Sequence, residues 1–375
     1  MKKNILFIVT ILIFQINIYS FLFAGDWTEN TILFTYSHKP SIVTYQNNVY
    51  VTASSLNGDI LFKKSSDGGK IWSEEREVCK GPNNSQPNII IDSNGYIHLV
   101  WARSAGIPPK YSILYSKSQD GGKTWSEPKE IVSGIKRIFG FSVATAKGNI
   151  YIVWSDFNNP PAKIHFIKSE NAGSSWTTPK DIVSQDNSMA TSPVISAINN
   201  NVYLVWLDER NGLPEIYFKK SKDKGNTWLY DLRLTSVTTN SKNPDIFTED
   251  EKIYVVWIDK QNKNNEVYFK KSDDTGNNWS DELRLTDGSA DSDFPAVCKD
   301  NNGIYVVWSD RRDKNYKIYF KKSDENESTW SVDFRLANTA ENSYSPKICT
   351  DSNGVHIIWY DVETFNVFYK RYDLK

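Results

Sequence analysis

Apolar and polar positions along this chain fall into short, dense runs bounded by Gly, Asn and Asp, with no long helical period. Six runs share one pattern: GYIHLVWAR (Gly95 to Arg103), GNIYIVWSD (Gly148 to Asp156), NNVYLVWLD (Asn200 to Asp208), EKIYVVWID (Glu251 to Asp259), NGIYVVWSD (Asn302 to Asp310) and NGVHIIWYD (Asn353 to Asp361). A weaker copy without Trp, NNVYVTASS, covers Asn47 to Ser55. Such β-branched and aromatic runs between tight turns predict strands and an all-β chain. Each run follows a short strand that usually opens with Pro (Pro40, Pro87, Pro193, Pro244, Pro295, Pro346). A third strand such as EIYFKKS (Glu215 to Ser221) comes next, and a fourth, outer strand such as LRLTS (Leu232 to Ser236) ends the unit.

Between the third and fourth strands the same eight-residue word returns six times, from Ser65 to Trp72, Ser118 to Trp125, Ser169 to Trp176, Ser221 to Trp228, Ser272 to Trp279 and Ser323 to Trp330. The first serines lie 53, 51, 52, 51 and 51 residues apart. A period near fifty with four strands per unit predicts a radial array of sheets, a β-propeller. Seven copies of strands one to three are present, but only six words and six fourth strands follow them. Asp26-Trp27-Thr28 with Ile32-Leu33-Phe34 resembles the missing Trp-initiated strand. We therefore expect seven four-stranded blades, closed by the N-terminal strand completing the last blade, which leaves no open seam. The 13 tryptophans fit this count: six end second strands, six close words and Trp27 is the last.

The word S-x-D-x-G-x-x-W is the Asp-box, or BNR repeat, and residues 26 to 375 resemble the sialidase-like β-propellers that carry it. Its Asp can accept amide hydrogen bonds within its own turn, its Gly can take a positive φ, and its Trp can fold back as a plug. The third box carries Asn171 for Asp, and the sixth carries Glu325 for Asp and Glu327 for Gly, so these two turns are expected to be looser.

Residues 1–24, with Lys2 and Lys3 ahead of an apolar run, read as a secretory signal peptide or an uncleaved anchor, and 25–375 as a single propeller domain. The expected location is secreted or periplasmic, with membrane attachment only if the segment stays in place. The chain holds 44 basic and 45 acidic residues, a net charge of −1 without a basic block, which argues against nucleic acid as a partner. Cys298 and Cys349 occupy equivalent places in neighbouring units, where a disulfide is one option, and Cys79 stands alone. The four histidines show no metal-ligand spacing, and no cofactor is implied.

The loops joining strands two and three, and those leading into each strand one, are expected on the face opposite the boxes, which in sialidase-like propellers binds sugar. The loops are short, so any pocket should be shallow and centred on the channel mouth. The resemblance implies three arginines around a carboxylate and a Tyr nucleophile activated by Glu. Arg210, Arg311, Arg312, Tyr344 and Glu363 are the catalytic candidates, with Arg103, Asp156, Asp208, Asp259, Asp310 and Asp361 as ligand-binding candidates. The family's early Arg falls on His38 within Ser37-His38-Lys39-Pro40, and the recurring aspartates are equally readable as salt-bridge partners between blades or as Ca²⁺ ligands. Two functions follow: a module binding a glycan or an extracellular protein, or an exo-acting glycoside hydrolase.

Overall fold

A computed structural model describes residues 25–158, 160–183, 188–235, 240–337 and 342–374; the segment read as a signal peptide lies outside the described residues. Seven antiparallel sheets form in chain order, each with its strands in sequence from the channel outwards. Blade one comprises Ser37–Tyr45, Asn48–Ser55, Ile60–Ser65 and Arg76–Cys79. The inner strands of blades two to seven are Asn84–Ile91, Ile138–Ala146, Ala190–Ile198, Lys242–Glu249, Ser292–Asp300 and Ser343–Thr350. The last blade is completed as expected: Gly25–Trp27 and Thr31–Phe34 both pair with Val367–Leu374.

The second strand is an unbroken apolar run because both of its faces are covered by neighbouring blades; every residue of Asn149–Asp156 is buried. The core accordingly consists of wedges between blades, each drawn from two neighbours, as where Tyr151, Val153 and Phe166 meet Val202, Leu204 and Trp206. The box tryptophans key these wedges together. Trp72, Trp125, Trp176, Trp228, Trp279 and Trp330 each sit edge-on to a third-strand ring of the preceding blade, and Trp27 does the same to Phe320, at 4.9 to 5.4 Å and 70 to 86°. Edge-to-face pairs of this kind are each worth about 1 kcal/mol beyond the area they bury. The box Gly is needed for two reasons. Gly122 has φ 88°, and a Cβ there would come within 2.3 Å of the Phe62 ring.

The third box keeps its hydrogen bonds and the sixth remakes them through a neighbouring residue, contrary to the looser turns expected of them. Asn171 Oδ1 accepts the Ser175 amide at 2.8 Å and the Ser169 hydroxyl at 3.0 Å. In the sixth box Asp324, one residue early, accepts the Ser328 and Thr329 amides. Glu327 adopts φ 57° and turns its carboxylate inwards, 3.0 Å from Lys252 Nζ, 2.8 Å from Lys271 Nζ and 2.8 Å from the Tyr254 hydroxyl. Burial disfavours its charge, yet these donors hold its carboxyl down at about 2.

Two further regularities join blades. Third-strand lysines reach backbone oxygens of adjacent blades, as Lys220 Nζ to Thr275 O at 2.9 Å and Lys270 Nζ to Leu234 O at 2.9 Å. Inside five blades a second-strand Tyr faces a third-strand Phe, for example Tyr305 and Phe320; in blades two and seven the hydroxyl changes strand, giving His98 with Tyr115 and His356 with Tyr369. Cys79, Cys298 and Cys349 are free thiols, so the optional bridge between Cys298 and Cys349 is not formed in this structure.

Candidate functional site

Each inner strand is interrupted near its start. Register shifts fall between His38 and Ser41, Thr191 and Val194, and Asp293 and Ala296, with counterparts in the other blades. The residue before each proline has positive φ: Lys39, Gln86, Ser192, Asn243, Phe294 and Ser345 lie between 48 and 57°, and Gly140 takes the place in blade three at 131°. The prolines therefore sit inside the strands as bulges rather than opening them. Pro suits such a site because it lacks the N–H that an interrupted ladder leaves unpaired. The residue after the bulge often closes the gap to the next blade: Ser41 Oγ accepts the Ile89 amide at 3.3 Å, Ser142 Oγ that of Ile195 at 3.2 Å, and Asp245 Oδ2 that of Val297 at 3.0 Å. The ring of bulges encloses a cavity of about 380 Å³ at the channel mouth, lined by Lys39, Gln86, Phe139, Asn243, Phe294 and Lys347 among others.

The recurring aspartates are elsewhere, at the ends of second strands with their carboxylates turned into the blade. Asp208 is fully buried and accepts the Trp206 indole N–H at 2.8 Å, the Arg210 amide at 3.0 Å and the Arg210 guanidinium at 2.6 and 3.0 Å. Arg210 also binds Asp231 at 2.9 Å and lies 4.4 Å from the Tyr217 ring centre. Blade six repeats the arrangement with Trp308, Asp310, Arg312, Asp333 and Tyr319. These pairs tie strands within one blade rather than bridging blades. Asp259 accepts the Ser241 hydroxyl at 2.8 Å, Asp361 accepts the Thr364 amide and hydroxyl at 2.9 Å each, and Arg103 donates to Asn84 at 2.7 Å and to Cys79 Sγ at 3.2 Å.

Blade three uses a histidine in the same role. His165 Nδ1 is 2.7 Å from Asp181 and Nε2 is 3.1 Å from Asp156, which also accepts the Trp154 indole at 3.2 Å. Burial opposes a charge on His165, but Asp156 and then Asp181 outweigh it and raise its pKa. The raised value means that the folded chain holds this proton more tightly than the unfolded one. Its stabilisation is complete below about pH 6.5 and is lost as pH rises through the folded pKa. Thermal melting should therefore fall by a few degrees on passing upwards through that window, and His165→Gln should flatten this part of the profile; an unchanged profile in the variant would refute the assignment.

Arg311, Tyr344 and Glu363 are the catalytic candidates that the structure brings together, between blades six and seven beside the mouth. Burial raises the Tyr344 phenol above its ordinary pKa, the Arg311 charge opposes this, and the Glu363 and Asp293 charges add to it. Glu363 accepts the Asn342 amide and its side-chain N–H, each at 2.7 Å. Around Tyr344 stands a group of rings absent from the sequence-level candidates: Tyr316 at 4.7 Å, Phe294 at 6.2 Å and Tyr360 at 6.5 Å between ring centres. Asp293 completes the edge, bound by Lys242 at 2.7 Å and Asn243 at 2.6 Å. The arrangement offers flat apolar faces, hydroxyls and charges of both signs around one concave opening, which are the elements needed to hold a polyhydroxylated ring.

Seven four-stranded blades, six of them carrying an Asp-box, close around this mouth as in the sialidase-like propellers. Residues 27–204 match the family model of the BNR repeat-like domain, and the chain has the fold of the sialidase-like β-propellers. No curated protein matches it in sequence. Among solved structures, an ulvan lyase of polysaccharide lyase family PL25 superposes with TM-score 0.62 at 12% identity, covering 91% of this chain and 94% of the lyase. A Hadza microbial sialidase gives 0.54 at 15%, covering 88% and 74%, and the Penicillium chrysogenum α-L-arabinanase gives 0.55 at 13%, covering 93% and 98%. At these identities the likeness is one of fold.

Proposed function

We propose that the protein is an extracytoplasmic glycan-binding propeller whose single site is the channel mouth together with the Tyr344 aromatic group. The observation that carries this reading is the set of rings at Phe294, Tyr316, Tyr344 and Tyr360 beside the bulge-lined cavity. Stacking on sugar faces requires aromatic surface in just such a recess. The recurring aspartates point inwards, whereas the residues around the mouth differ from blade to blade, which favours one asymmetric site over seven equivalent ones. That the solved neighbours include a polysaccharide lyase, a sialidase and an arabinanase supports a saccharide ligand.

A hydrolytic reading draws on the bearing of the Arg311 and Glu363 charges on the Tyr344 hydroxyl, with Tyr344 as the nucleophile. The two readings separate in one experiment: a glycan array and a panel of aryl glycosides, including a sialoside, with wild type, Tyr344→Ala and Tyr344→Phe. Binding without turnover that weakens about tenfold or more in Tyr344→Ala, at unchanged melting temperature, is the expected result. Turnover lost in Tyr344→Phe would establish the hydrolase, and neither binding nor turnover in wild type would refute both.

A further inference from the structure

We infer that the loop end of the propeller docks on an anionic lipid surface, with apolar tips of blades seven, one, two and four entering the headgroup layer and lysines of blades five and six pairing with its phosphates. The loops joining second to third strands all leave the ring at this end, because every blade runs in the same sense from the channel outwards. The inference does not depend on the glycan-binding reading.

The apolar tips are held by paired backbone. In blade two the second and third strands stay paired as far as Ala105 and Lys110, and Ile107 stands fully exposed at the head of that hairpin. At the seam between blades seven and one, Tyr36 O accepts the Leu56 amide at 2.8 Å and Phe365 O accepts the Ser37 amide at 2.6 Å. These bonds group Tyr36, which is 70% exposed, with Leu56 and Phe365, and Leu213 adds an exposed side chain on blade four. The tips belong to different blades around the rim. A folded protein partner would need a separate pocket for each, whereas a headgroup layer is fluid and receives several at once. Tyrosine suits that layer in particular, since its ring is apolar and its hydroxyl stays wet.

Blades five and six carry the charge. Their hairpins are paired to the tip, Asn262 with Asn264 and Asp313 with Asn315, which leaves Lys263 and Lys314 as the turning residues. Both have φ 74°, a left-handed conformation that Gly adopts at less cost, and Tyr36 and Phe365 do the same at 51 and 54°. Backbone strain at four tips that display large apolar or cationic side chains points to a contact made outside the molecule. Lys260 and Arg311 stand beside the two lysine tips, and all four cations are exposed. Asp313, in the same hairpin as Lys314, is engaged by the Tyr319 hydroxyl at 2.8 Å and Arg335 at 3.2 Å, and Asp291 accepts the Asn265 amide at 2.8 Å. Asp287 is the exposed acid of the adjoining loop 287–291. This part of the end is therefore positive, although the whole chain carries −1. Basic groups near an anionic bilayer are drawn to it, and apolar tips that enter the interface add to the hold.

Flotation of residues 25–375, which contain all seven closed blades, with vesicles of phosphatidylcholine alone and of phosphatidylcholine mixed with phosphatidylglycerol tests the inference. Partition onto the anionic vesicles should be about tenfold stronger or more, and should weaken as salt is added. In Lys260→Gln/Lys263→Asn/Lys314→Asn that preference should disappear. In Tyr36→Asn/Ile107→Ser binding to the anionic vesicles should fall by about tenfold. Asn tolerates the left-handed conformation, so both variants should melt as wild type does. Equal partition onto the two kinds of vesicle, or a partition that either variant leaves unchanged, overturns the inference. Capture of the wild type by polyglutamate without binding to vesicles would assign the basic hairpins to an acidic polymer and overturn it as well.

Discussion

Trp27→Ala should destabilise the protein by about 3 kcal/mol, on the scale of large-to-small replacements of packed aromatic residues. The Trp27 ring lies 5.0 Å from Phe320, 5.0 Å from Tyr372 and stacked on Phe334 at 5.6 Å, so one side chain touches blade six and the third strand of blade seven together. Its strand supplies the partner for Val367–Leu374, which would otherwise be an open edge. The loss should extend beyond one wedge, because a ring with a weakened seam holds its terminal blades through one neighbour instead of two. Urea unfolding of Trp27→Ala beside Tyr230→Ala, whose side chain is 81% exposed, measures the effect. The Tyr230 variant should stay within about 0.5 kcal/mol of wild type. If the Trp27 variant matched it, closure through this strand would contribute little to stability.

The second large effect concerns the hydroxyl that changes strand in blade two. His98 is fully buried, with Nδ1 2.8 Å from the Tyr115 hydroxyl and Nε2 3.3 Å from Asp92. His98→Tyr alone crowds two phenols into a place built for one and should cost about 3 kcal/mol through overpacking and a poorly paired hydroxyl. Adding Tyr115→Phe should recover all but about 1 kcal/mol, because blade six already shows the resulting arrangement. There Tyr305 donates to Asp300 at 2.9 Å while Phe320 faces it. A double-mutant cycle reads the coupling directly. Additive losses would mean that the pair is not interchangeable between blades.

The seven-blade count and the closing strand were readable because the strand pattern and the box recur with little variation, and each box Trp has one structural place to go. Less could be read where a residue's role depends on its neighbour in the next blade. The prolines look like strand openers in sequence, since nothing local reveals that two or three residues before each one already belong to the strand. Glu327 reads as a defect in its box because Lys252 and Lys271, which surround it, belong to another blade. Of the catalytic candidates, Arg210 and Arg312 share with Arg311 the local pattern of a charged loop, but only a structure distinguishes a guanidinium gripped by two carboxylates from one at the edge of the mouth. Phe294 and Tyr316 carried no signal of their own, because aromatic residues are frequent throughout this chain.

The bulges at the channel mouth separate the shape of the site from its chemistry. At the same turn of the backbone the chain places Lys39, Gln86, Ser192, Asn243, Phe294 and Ser345, which range from cationic to aromatic with φ held between 48 and 57°, and Gly140 takes the seventh place. The position is therefore indifferent to the side chain it displays. Seven such places around one opening form an alphabet that can be respelled letter by letter, so that a propeller of this kind can acquire a new ligand by substitutions at its rim while the wedges that hold it together stay as they are.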